Sequence, residues 1–330
     1  MTNIPSLARV YEDYFKIGAA VNIPSLKTHG ELLKKHFNSV TAENDMKPAS
    51  IISEKNEFSF ENADSIIDFA EKNNMVVRGH TIVWHNQTPE HFFLDEGGKV
   101  VSAELLMNRL KLYMERVFEH FKGKVYCWDL VNEAVDGESS EFFRKTKWLE
   151  ILGEDYIHQV FRLAREIAPE LSFFYNDYDA VIPEKRDKIY NLLKGMLDRG
   201  IPLDGLGIQA HWNIVDFEYD DIRRALDKYA GLKLDIHITE LDVSVYSRKE
   251  KNLKLEEPTV EMISKQAEFY GKIFEVFREY KDIISSVTLW GIADDYSWLD
   301  YFFGIKRKTW PLLFDEDHQP KEAFWRVVDF

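Results

Sequence analysis

The 330-residue chain has one cysteine, Cys127. That excludes an intrachain disulfide framework and a multi-cysteine zinc site. Cys127 sits in the run VYCWDL and reads as a buried apolar filler. Basic residues are in deficit, 42 Lys and Arg against 57 Asp and Glu, for a net charge of −15. Nucleic acids and anionic membranes are bound by clustered Lys and Arg, so neither is an expected partner. Long apolar runs are missing, and none approaches the roughly 18 residues of a membrane span. The N-terminal MTNIPSLARVYEDYF has no basic region, apolar stretch or A-x-A-like cleavage site. With Met1 as the natural start, this predicts a cytoplasmic protein. The 10 prolines and 16 glycines are scattered, with no linker or low-complexity block. The most hydrophilic stretch, Arg248–Pro258 (RKEKNLKLEEP), reads as an exposed loop, because strong patterning resumes on both sides.

What is present is apolar and aromatic. Hydrophobic residues make up 45% of the chain, and Phe, Tyr and Trp number 23, 15 and 8. This composition suits a large globular core, not a disordered chain. Short apolar runs alternate with longer helical patterns. The strand-like runs are Phe15–Val21, Val40–Ala42, Val76–Gly79, Val125–Val131, Ser172–Tyr175, Gly205–Ala210, Leu234–Thr239 and Val287–Trp290. They show little polar alternation, as strands buried on both faces do. Helical spacing covers Ala63–Asn73, Ala103–Phe121, Asp155–Ile167, Glu184–Leu197, Ile222–Tyr229 and Val260–Tyr280, with Asn62 and Ser102 as expected N-caps. Eight uninterrupted strand–helix alternations predict an α/β fold, one (β/α)8 TIM barrel over residues 1–330 with no accessory module.

In such a barrel the chemistry gathers at the C-terminal strand ends. Unusual polar residues fall there: Glu43 to Lys47, His80, Trp84 and His85, Asn132-Glu133, Asn176 to Tyr178, Gln209 to Trp212, Glu240 to Asp242, and Trp290 with Asp294, Asp295 and Trp298 beyond. The strand beginnings carry no comparable set. Glu133 and Glu240 stand out because each follows an apolar run. A carboxylate pair serves glycoside hydrolysis, one proton donor and one nucleophile. His211 and Asp242 are expected beside Glu240, where a histidine held by an aspartate can keep a carboxylate ionised. His80 and His85 either bind sugar hydroxyls or satisfy the structure beneath the strand mouth. Trp84, Trp290 and Trp298 suit stacking on the apolar faces of sugar rings, whereas Trp128 and Trp148 suit the core.

At these motifs the sequence resembles glycoside hydrolase family 10, the retaining endo-β-1,4-xylanases. The matching runs are ENDMK (43–47), GHT with VWH (79–85), WDLVNEA (128–134), NDY (176–178), GIQAHW (207–212), ITELDV (238–243) and WPLLFDEDHQPK (310–321). They span nearly the whole chain in the family's order. The resemblance implies Glu133 as acid/base and Glu240 as nucleophile, with Asn132 on the 2-hydroxyl and His211 and Asp242 supporting the nucleophile. It implies Glu43, Asn44, Lys47, His80, Trp84 and Gln87 for the glycone subsites, and Trp290 and Trp298 as floor and wall. Tyr178 falls on the aglycone side, and Gln209 joins the substrate-binding set. The implied partner is xylan or xylo-oligosaccharide, and no metal or cofactor is required. Two departures are visible: Asp179 follows NDY where Asn is frequent, and TPEHFF follows Gln87 in place of a Leu-Pro-Ser-Trp-like run. The missing signal resembles the intracellular members, which trim short imported xylo-oligosaccharides. Nothing in the sequence selects between monomer and homodimer.

Three other readings make different demands. A related retaining barrel acting on β-glucan or β-mannan would share the Glu pair. A metal-dependent hydrolase would use His80, His85, His211, His237 and Asp294, yet these lack a metal-ligand spacing. A non-catalytic carbohydrate-binding barrel would have no use for both Glu residues.

Overall fold

The computed structural model describes residues 4–250, 252–304 and 306–330. The chain divides into two compact units, residues 41–207 and residues 1–40 with 208–330.

In the unit of residues 41–207, the strands β3 (Val76–Val83), β4 (Val125–Asn132) and β5 (Ser172–Asp177) run parallel, with Gly79 beside Trp128 and Asp129 beside Phe174. All three are buried almost end to end, as strands covered on both faces must be. Gly79 is required by packing. A Cβ there would lie 2.2 Å from the Trp128 indole. Cys127, Trp128 and Trp148 are buried as expected. The helix Ala103–His120 turns Leu106, Leu110, Tyr113, Met114 and Val117 inward, and Ser102 caps it by accepting from the Leu105 N–H at 3.2 Å. Asn62 is not a cap. The helix starts at Glu61, and the Asn62 amide donates to Asp45 at 3.0 Å instead. Phe60 holds the cap position without a side-chain bond, so the Asx signal stood two residues too late.

In the other unit, β1 (Lys16–Val21), β9 (Ile284–Leu289) and β8 (Asp235–Ser244) are parallel neighbours, and β7 (His211–Asn213) pairs with β8. The helix Val260–Glu279 is capped by Thr259 and buries Ala267, Tyr270, Ile273 and Phe277. The short helix Glu322–Val328 closes the unit, where the Val327 carbonyl accepts from the Tyr11 hydroxyl at 2.5 Å.

The expected strand 6 is broken. β6 (Gly205–Ile208) stops, and β7 starts at His211, because Ala210 adopts a left-handed φ of 63°. Strands β3, β4, β5 and β8 outrun their apolar sequences. The backbone ladder continues through His80, Asn132, Asp177, Glu240 and Asp242. The remaining strand, β2 (Ser39–Ala42), and the predicted helices lie within a few residues of their expected bounds. The described part of 248–258, from which Lys251 is excluded, is mainly exposed loop. Among the described residues no helix is long and apolar enough to cross a membrane.

Candidate active site

On β8, alternate residues share a face, so Glu240 and Asp242 project together. The backbone positions them through neighbouring carbonyls: the Glu240 N–H donates to Gln209 at 2.9 Å and the Asp242 N–H to Ala210 at 3.3 Å. The turn at Ala210 then presents His211 beside Asp242 in the β7–β8 register. His211 bridges the two carboxylates, with Nε2 3.1 Å from Glu240 Oε2 and Nδ1 2.9 Å from Asp242 Oδ2. Burial opposes a charge on His211, but Asp242 and then Glu240 overcome it and raise its pKa to about 10. At neutral pH the ring is therefore an imidazolium between two carboxylates. Asp242 Oδ2 also accepts from the Trp298 indole N–H at 2.8 Å, and the Trp298 ring lies 4.7 Å from that of His211. Asp242 Oδ1 is buried without a hydrogen-bond partner among the described residues. Trp290 is buried, and its ring stands edge-on to His211 at 6.3 Å.

Residues 41–207 carry the other half of the expected set. Glu133 follows the last residue of β4 and has a left-handed φ of 56°. A non-glycine residue in that conformation at a strand end marks a side chain aimed for a purpose. Its N–H donates to the Asn176 carbonyl at 2.9 Å. The Asn132 amide, oriented by a 2.9 Å bond from Asn176, sits 3.4 Å from Glu133 Oε1. Arg144 donates to the Glu133 carbonyl at 3.1 Å and to the Tyr178 hydroxyl. Trp84, His85, Asn132, Glu133, Trp148 and Tyr156 line one small hollow. Burial lowers the pKa of His85 against the pull of Glu133, so this ring favours its neutral form.

A polar cluster follows β2 and β3. Asn44 Oδ1 accepts from Lys47 Nζ and from Gln87 Nε2, both at 3.1 Å, and Lys47 Nζ stands 4.8 Å from the Trp84 ring centre. Glu43 and Lys47 are buried. His80 is buried, its Nδ1 2.8 Å from Asp129 Oδ2. Asp129 thus engages one ring nitrogen of His80.

The family profile described as Glycosyl hydrolase family 10 matches residues 6–330. This chain belongs to that family. Endo-1,4-beta-xylanase B of Paenibacillus barcinonensis is 48% identical, over 99% of this chain and 98% of its own. The solved endo-1,4-beta-xylanase of Caldicellulosiruptor owensensis is 50% identical and has a TM-score of 0.96, over 99% of this chain and 100% of its own. A solved mutant protein in complex with xylotriose is 48% identical with a TM-score of 0.96, over 98% of this chain and 99% of its own. The fold class is accordingly the (β/α)8 barrel of this family, as the alternation of elements predicted.

Several residues of this family member were not singled out from sequence. Lys185 is buried, pairs with Asp177 at 2.6 Å and lies 3.1 Å from the Tyr178 ring centre. Burial pushes the Asp177 pKa up to about 6 against the pull of Lys185. Arg144 and Lys185 thus both fix Tyr178. Their positions, outside every strand end, gave no signal. Arg78 did leave one, a charge inside the apolar run VVRGHT, and it pairs with Asp129 in the interior. The TPEHFF departure is structural: Phe92 and Phe93 are buried, with Phe93 packing edge-on against Trp148 at 4.9 Å. The residues of the metal-hydrolase alternative are engaged separately: His80 with Asp129, His237 with Ser285 at 2.9 Å, and Asp294 with Lys321 at 2.7 Å.

Proposed function

We propose that this chain is an endo-β-1,4-xylanase that hydrolyses internal bonds of xylan or xylo-oligosaccharides with retention of configuration. Glu240 attacks the anomeric carbon while Glu133 protonates the departing glycosidic oxygen. Glu133 then takes a proton from water, which opens the glycosyl-enzyme. The observation that carries this reading is His211 bridging Glu240 and Asp242, in a member of a glycosidase family. A nucleophilic carboxylate has to stay ionised, and a bonded cation favours that. Asn132, oriented by Asn176 beside Glu133, would contact the 2-hydroxyl of the sugar undergoing substitution. Glu43, Asn44, Lys47, His80, Trp84, Gln87 and Gln209 would bind the glycone, Trp290 and Trp298 would wall it, and Tyr178 would meet the aglycone.

Nearly full-length relatives that are themselves named endo-1,4-beta-xylanases support xylan as the polymer. The deciding experiment follows hydrolysis of a defined xylo-oligosaccharide series by NMR. β-Configured xylose products from an internal bond are expected; an initial α product overturns retention. Faster hydrolysis of β-glucan or β-mannan overturns the substrate. The same series reads the minimum chain length, and a preference for short oligosaccharides is expected.

A further inference from the structure

His29, Asp295 and His318 form a second side-chain cluster, and the hydrolysis described above uses none of them. His29 joins the helices Ile23–Thr28 and Gly30–His36 and is buried. Asp295 follows β9, in the segment that carries Trp298. His318 stands on the turn between the bridged residues Phe314 and Pro320, with a left-handed φ of 62°. That turn is prearranged: Asp315 Oδ1 accepts from the N–H groups of Asp317 and Gln319 at 2.9 and 2.8 Å, and the His318 N–H donates to the Asp315 carbonyl at 3.1 Å.

Both histidines direct Nε2 at one carboxylate. His29 Nε2 is 2.8 Å from Asp295 Oδ1, and His318 Nε2 is 3.5 Å from Oδ2. The two ring centres are 4.4 Å apart. Two imidazolium rings that close would repel over a single carboxylate, whereas one divalent ion would satisfy both ring nitrogens and the carboxylate. The far side of His29 suits a ligand. Its Nδ1 lies 2.7 Å from the Thr28 hydroxyl, which has the Pro24 carbonyl as acceptor at 3.2 Å. With the hydroxyl proton on Pro24, Nδ1–H donates to Thr28 and leaves the Nε2 lone pair facing Asp295. Metal-binding histidines hold their second ring nitrogen by a hydrogen bond, and Thr28 would do so here.

We propose that His29, Asp295 and His318 bind one divalent transition-metal ion of the zinc class, with solvent completing the shell. Zinc takes nitrogen at about 2.0–2.1 Å and carboxylate oxygen at about 2.0–2.2 Å, which sets ligand atoms roughly 3.4 Å apart in a tetrahedron. One donor atom from each residue lies within 4.8 Å of the others, so shifts of about an ångström reach that spacing. Two imidazoles and a carboxylate with open positions suit Zn2+ over Ca2+ or Mg2+. The ion would tie together the helix junction, the segment after β9 and the C-terminal turn.

The test is ZnCl2 titration of chelator-treated full-length protein, followed calorimetrically, with bound metal counted by mass spectrometry. One equivalent of zinc and a raised Tm are expected, and Co2+ at the same site should give visible d–d absorption. His318→Ala and the isosteric Asp295→Asn should each weaken binding by about 100-fold or more and remove the Tm increase. Circular dichroism establishes their folding, and Asp295→Asn carries the test if His318→Ala does not fold. Absence of stoichiometric zinc in the parent, or unchanged binding in a folded variant, overturns the proposal.

Discussion

Around Glu240 the organising group is an imidazolium: His211 bonds Glu240 on one nitrogen and Asp242 on the other. Around Glu133 the neighbouring cation is used differently. Arg144 donates to the Glu133 backbone carbonyl and to the Tyr178 hydroxyl, and His85 is kept toward neutrality by burial. Asn132, at 3.4 Å, makes a long contact with the Glu133 carboxyl. One carboxylate is therefore anchored by a buried charge, while the other is aimed by its backbone, through a left-handed φ and a bond to Asn176. The contrast fits two duties. A nucleophile needs a fixed charge, whereas an acid/base must gain and lose a proton within each cycle.

Removing each carboxylate should break this comparison most sharply. Glu240→Ala is expected to lower kcat by roughly 10⁴-fold or more on every substrate while oligosaccharide binding persists. Steady-state kinetics with calorimetric binding checks it, and substantial residual turnover refutes the assignment. Glu133→Ala should lose about 10²–10⁴-fold on xylan. It should lose far less on an aryl xylobioside whose leaving group needs no proton, and added azide should restore turnover as a β-glycosyl azide. Equal losses on both substrates would leave Glu133 without its acid role.

The supporting groups sharpen the contrast. His211→Asn removes a charge-assisted bond to Glu240, about 1.5–3 kcal/mol or roughly 10–100-fold in kcat. Lys185→Met, on the Glu133 side, strands the buried Asp177 carboxylate and should cost about 3–5 kcal/mol of stability, read by denaturant unfolding. Unchanged stability in Lys185→Met would show that the Lys185–Asp177 pair does not hold this side together.

The smallest effect is on pH. The folded-state pKa of His211 is raised from 6.5 to about 10. Its contribution to stability is complete below about 6.5 and is lost as pH rises through about 10. The Tm difference between the parent and His211→Asn should shrink over that interval in calorimetric scans. A constant difference would show that His211 acts by packing alone.

Much of this was readable in one dimension. Glu133, Glu240, His211 and Asp242 were legible because polar residues ending apolar runs are costly unless used, and their pairing on β8 follows from the two-residue period of a strand. Helix bounds were legible from apolar spacing. The Asn62 cap was misread because Asn serves equally well in a first turn when a partner such as Asp45 is within reach. The ends of β3, β4, β5 and β8 were set too early because a backbone ladder does not stop where side chains become polar. The left-handed turn at Ala210, which splits strand 6, had no glycine to announce it.

The sequence by itself determined the alternation of elements and the ordered family motifs, and it singled out Glu133 and Glu240 at the ends of apolar runs, since these depend on periodicity and local composition. Tertiary structure alone decided that His211 is charged, that Arg144 and Lys185 converge on Tyr178, and that His29 meets His318 over Asp295. Each of those facts depends on groups distant along the chain coming within a few ångströms of one another. There, one neighbour's charge changes what the next can be.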